Sequence, residues 1–229
     1  MRKKKANASA WLHGFRTLFP LALMLWFAQA GVSVLQAQQV VDRVVARVED
    51  DIITLSEVRE LGRYQQLVEG RAAAEKELLR QLIEQWIVVN EATASQFARP
   101  STEDVARETA RLEKLFASPS AYQARLRELG LRADAVRRIV AQQLYLARYL
   151  DYKFRPAAQV DAPEVEKYFN EELAPKLRAR GQAVPPLGEV EEQIRELLTQ
   201  RDISQRAGRW LEETRGRLRI EIMSGGELK

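Results

Sequence analysis

From residue 40 the chain reads VVDRVVARVEDDIITLSEV, and its apolar positions first alternate and then recur at helical spacing. Val44, Ala46 and Val48 share one pleat face, while Arg43 and Arg47 point the other way. Glu49, Asp50 and Asp51 interrupt the apolar run as a turn does, and Ile52 and Ile53 resume it. Thr54 stands three residues before Glu57, the spacing of a capping box that opens a helix. The pattern therefore predicts a short hairpin that feeds straight into a helix. A two-stranded hairpin is marginal alone and needs a third strand or a packed helix. Leu218 to Ile222 alternates in the same way, so the two ends are expected to meet in one small antiparallel sheet.

Between these ends the period is helical. A first helix is expected from Leu55 to Glu69, stopping at Gly70, with Leu55, Val58, Leu61, Tyr64 or Gln65, and Val68 inward. A second, Ala73 to Phe97, carries the widest apolar face and reads as the central helix; its Trp86 reads as a buried indole ahead of a client-contacting aromatic. Arg99-Pro100 ends it, and Ser101 with Asp104 starts a thin-faced helix from Thr102 to about Ala117 that uses Val105, Leu112, Leu115 and Phe116. Ser118-Pro119 opens another, to Leu129, with Tyr122 and Leu126 inward and Gly130 closing it.

The helix from Ala133 to Phe154 has two unlike faces. Val136, Ile139, Val140, Ala147, Leu150 and Phe154 cluster on one side; Tyr145, Tyr149 and Tyr152 line nearly the opposite one. Tyrosines offer large contact area with a polar tip. Two readings stand: a groove for polypeptide, or packing against a later helix. Asp161 and Glu164 cap a further helix through Leu173, and residues 174–188 read as a loop or a loosely formed helix end. A last helix from about Leu187 to Leu218, about 45 Å long, is expected to cross the fold and deliver the terminal strand. Residues 224–229 read as a disordered tail. The fold class predicted is mainly α: a multi-helix domain with a small antiparallel sheet made by the N-terminal hairpin and the C-terminal strand.

Composition changes this picture chiefly at the N-terminus. MRKKK precedes the apolar run Leu18–Phe27, and Ala28-Gln29-Ala30 has the small-x-small form of a cleavage site. Residues 1–30 read as a secretory signal, with cleavage after Ala37 as a second option. The alternative is an uncleaved inner-membrane tether through residues 18–35. Residues 1–30 hold five cations and no acid, so without them the net charge moves from +4 to −1. The basic balance thus gives no support for a nucleic-acid partner. Cysteine is absent and the one histidine is His13, inside the signal. A mature chain without either excludes thiol and imidazole catalysis, zinc sites and Ser-His triads. Glu49, Asp50 and Asp51 read as a solvated turn, and Glu189, Glu191 and Glu192 as acids suited to a helix start. No metal, cofactor or catalytic residue is expected.

The run from Val41 through Glu57, behind an export signal and ahead of a helical domain, resembles the N-terminal module of the SurA-type periplasmic chaperones. That family closes its helical domain with a long C-terminal helix and a strand, and residues 189–223 are similar in outline. The resemblance spans residues 38–173 and 189–223. It implies parvulin-type prolyl isomerase domains inserted where residues 174–188 lie. About fifteen residues without histidine stand there instead, so the chain looks like the chaperone module alone. The function so implied is an ATP-independent periplasmic holdase for unfolded outer-membrane or secreted polypeptides. Candidate client-binding residues are Tyr145, Tyr149, Tyr152, Tyr122 and Phe116. The alternatives are a dedicated assembly protein with one partner and, third, a prolyl isomerase.

Overall fold

A computed structural model describes residues 42–223. The expected signal, both its cleavage positions and the tether reading fall outside the described residues, as does the tail 224–229.

The sheet forms as the alternation predicts. Strands β1 (Val44–Val48) and β2 (Asp51–Thr54) make an antiparallel hairpin, and β3 (Ile220–Ile222) pairs antiparallel with the other side of β1. The order is β2-β1-β3, with Ala46 opposite Ile222 and Val48 opposite Ile220. One detail departs from simple alternation. The register shifts between Val44 and Ala46, a bulge that leaves Val45 buried beside the equally buried Ala46. The Val45 carbonyl accepts from the Met223 N–H at 3.0 Å, so the bulged residue is tied to the third strand.

The acidic turn is also more than a solvated loop. Glu49 lies at φ 53°, and its N–H donates to the Arg219 carbonyl at 2.9 Å. Its carboxylate accepts from the Arg219 N–H at 2.7 Å. The turn thereby clamps the entry of β3.

Thr54 accepts from the Glu57 N–H, and the Glu57 carboxylate accepts from the Thr54 N–H at 2.7 Å, completing the box that starts α1 (Leu55–Glu69). Gly70 ends α1 at φ 76°. The inward stripe of α1 is Val58, Leu61, Tyr64 and Leu67, and Val68 is turned outward. Gly62 allows α2 (Glu75–Ala94) to come close: a Cβ there would meet Leu78 Cδ1 at 3.0 Å. Val45, Ala46, Val48 and Ile53 from the sheet, Val58 and Leu61 from α1, and Leu79, Ile83 and Ile87 from α2 form the first core. Trp86 is half-buried, not buried as expected. Its position beside the β2 turn lets the indole N–H donate to Asp51 Oδ2 at 2.8 Å.

Helix α3 (Thr102–Glu113) begins at the Ser101 cap and stops short of Ala117, and Ser118 then caps α4 (Pro119–Glu128). With α5 (Ala133–Phe154) and the second half of α1 they build a second core of Tyr64, Leu67, Leu112, Tyr122, Leu126, Val136 and Val140. A short 3₁₀ turn, Arg155–Ala157, leads to α6 (Ala162–Tyr168), capped by Asp161 and Glu164.

Of the two readings of residues 174–188, the helix end describes their first part and the loop their remainder. A π turn, Phe169–Leu173, carries the helix on into α7 (Ala174–Ala179). The cause is local: Pro175 has no N–H to donate, and the wider turn ahead of it makes room for its ring. Gly181, at φ 69°, ends this helix, leaving only a short connection to α8 (Leu187–Arg215). At 29 residues α8 is about 43 Å long. It passes α6, then α5, then α2, and hands the chain to β3. Among the described residues no helix is long and apolar enough to cross a membrane.

Candidate functional site

The site is built on α5, whose tyrosine stripe the structure divides. Tyr145 and Tyr149 are buried with Val88 and Ala92 of α2, beside Trp210 and Leu211 of α8. Their hydroxyls are satisfied internally: Tyr145 donates to the Phe97 carbonyl at 3.2 Å, and Tyr149 lies 3.4 Å from the Ser95 hydroxyl. Tyr122 is buried in the second core, its ring edge-on to half-buried Phe116 at 5.3 Å. Of the two readings of the stripe, packing holds for Tyr145 and Tyr149, which find apolar contacts and hydrogen-bond partners between the helices, and Tyr122, expected at a groove, is instead buried in the second core. Burial raises the pKa of Tyr122. Only Tyr152 faces outward, 65% exposed.

Tyr152 does not stand alone. Phe97 lies tilted against it with ring centres 5.2 Å apart, and the same Phe97 meets Tyr149 edge-on at 5.4 Å. Phe97 arrives there through the end of α2. Gln96 takes the left-handed conformation at φ 53°, and the Phe97 N–H donates back to the Ala92 carbonyl at 2.9 Å. The Gln96 N–H reaches the Thr93 carbonyl at 3.0 Å, which completes a Schellman motif. Glycine is the usual residue at that position; glutamine there conceals the motif, so the sequence reading runs the helix through Phe97.

Phe97 and Tyr152 form one wall of an open groove of about 780 Å³ between α5 and α8. Ala147 and Leu150 of α5 and Ile203 and Ala207 of α8 supply its apolar surface, with Gln200 and Ser204 among them. The charges at its rim are paired. Arg148 donates to Asp104 of α3 at 2.8 Å, and Arg155 joins Asp151 to Glu196 of α8, the latter at 2.8 Å. Gln200 Nε2 also donates to Glu196 at 2.9 Å. These partners hold the carboxylates ionised: Arg148 first, then Ser101, brings Asp104 down to about 2. Arg155 and then Gln200 bring Glu196 to about 2.

Below the groove, Lys153 ties three helices together. Its ammonium lies 4.9 Å from the Trp210 ring centre and 5.7 Å from that of Tyr149, and donates to Glu91 at 3.0 Å. Burial opposes its charge, but Glu91 and Tyr149 outweigh it and the pKa is raised.

Depressed carboxylates stabilise the fold above their unfolded values, near 4, and that contribution is lost as pH falls toward 2. Because Glu196 is solvent-exposed and Asp104 only half-buried, the effect is modest. Thermal melts from pH 6 to 2 are expected to show falling stability in the acid limb, and Glu196→Gln is expected to flatten part of that limb. An unchanged slope in the variant would remove the Arg155–Glu196 tie from the account of the groove wall.

No family model matches the sequence, and no curated protein matches it.

Proposed function

We propose that the chain is an ATP-independent holdase of the SurA type, exported to the periplasm, whose α5–α8 groove takes up apolar segments of unfolded polypeptides. The observation that carries this reading is Tyr152 with Phe97 standing over an open, largely apolar floor. Such a surface attracts through burial of apolar area, which is non-directional and tolerant of sequence. The rim charges neutralise one another, so they favour no strongly charged ligand. The order of parts adds support, since a hairpin behind a signal-like segment and a long closing helix with its strand resemble that chaperone family. The activity proposed is capture without chemistry.

Aggregation of an unfolded outer-membrane barrel protein is the test. A molar excess of this chain is expected to suppress light scattering. Tyr152→Ser is expected to weaken client affinity several-fold while changing stability by no more than about 0.5 kcal/mol, since the side chain is exposed. Equal scattering with and without the protein would remove the proposal. A proline-limited refolding assay separates the enzyme reading: no acceleration is expected at catalytic amounts, and acceleration would overturn capture without chemistry.

A further inference from the structure

We propose that the α5–α8 groove is half of a longer trough, which takes an extended, uncharged peptide segment carrying two apolar side chains about five residues apart. This rests on the holdase reading and specifies its client. The other half is a hollow of about 460 Å³ bounded by α1, α3 and α5. Leu112, Val140 and Leu144 line it. Val68 and Leu115 stand at its mouth, 43% and 73% exposed, so apolar area is open to solvent there as it is at Tyr152.

The two hollows share a lining residue. Ala147 is exposed and borders both, and its small side chain leaves the passage between them low. Val140 marks one end and Asp151 the other. Eleven residues of helix rise about 16 Å, which an extended peptide covers in about five residues.

The chemistry along the passage suits a peptide backbone. Gln143 Oε1 accepts from the Tyr64 hydroxyl, which leaves the amide NH₂ as donor. The Gln200 NH₂ donates to Glu196, which leaves its carbonyl as acceptor. Glu108 with Arg111 on one side and Arg148 with Asp104 on the other are paired charges of no net sign, so the segment between the anchors is uncharged.

Fluorescence anisotropy with labelled, neutral nine-residue peptides tests this on the full-length protein. The peptides carry two phenylalanines spaced two, five or seven residues apart, or one alone, in a Ser/Thr background. On the unmodified protein the five-residue spacing is expected to bind about tenfold tighter than the single anchor. Ala147→Arg, an exposed change to a good helix former, is expected to reduce that peptide to single-anchor affinity with little change in Tm. Leu115→Ser and Tyr152→Ser are each expected to do the same. Indifference to spacing, or full two-anchor affinity in Ala147→Arg, would overturn the trough even if Tyr152→Ser still weakens binding. Failure of every peptide to bind would overturn the trough and the holdase reading together.

Discussion

Ending the chain at Arg215 should destroy cooperative unfolding, whereas ending it at Met223 should leave it intact. The difference is β3 and its approach. Val48 and Ala46 on β1 are fully buried, and Leu218 and Ile220 pack on the core they belong to. Without those residues the sheet reverts to a two-stranded hairpin, which is marginal in water. The Arg219 backbone no longer meets Glu49, and Val45 loses the Met223 N–H. The expected loss is at least about 4 kcal/mol, comparable to removing two large core side chains. Far-UV circular dichroism should retain much of its helix signal while near-UV structure and a sharp denaturant transition disappear. A transition within about 1 kcal/mol of the full chain would show that the helices do not depend on the closing strand.

The second large effect is expected at Trp210. Its ring packs with both the first core and the Tyr145–Tyr149 cluster, tilted 5.9 Å from Phe154 and 4.9 Å from the Lys153 ammonium. Trp210→Ala should cost about 3 kcal/mol, from lost apolar contact and from leaving Lys153 with a weaker partner. Trp210→Phe should recover roughly half of that. Equilibrium denaturation is the measurement, and a loss below about 1 kcal/mol in the alanine variant would mean that α8 is held on α5 mainly by its paired charges. Client binding should fall along with stability in Trp210→Ala, unlike Tyr152→Ser, since one variant loosens the wall and the other alters only its surface.

The closure of the fold was legible because it rests on strong local signals. Alternation at 44–48 and 218–222 marks the strands, and Thr54 with Glu57, Gly70, Ser118-Pro119 and Asp161 with Glu164 mark helix ends. The Val45 bulge was not legible, since two adjacent valines read equally well as an edge of either face. Nor was the π turn ahead of Pro175, because proline ordinarily signals an end and here marks a widened turn within a continuing helix. The site was legible only in part. A helical wheel separates Tyr145, Tyr149 and Tyr152 from Val136 and Val140, but it does not say which neighbour covers them. Two are covered by α2 and α8, and one is left facing outward. Phe97 was missed because Gln96 stands where glycine would announce the motif that turns it inward.

Because the chain has no cysteine, one placed at Ser204 can carry a polarity-sensitive fluorophore directly on the floor of the α5–α8 groove. A matched label at exposed Glu192, farther along the same helix, serves as the reference. Titration with an unfolded outer-membrane barrel protein should shift the emission at position 204 to the blue, saturably, and leave position 192 unchanged. Equal shifts at both positions, or none at 204 while aggregation is still suppressed, would contradict capture in this groove.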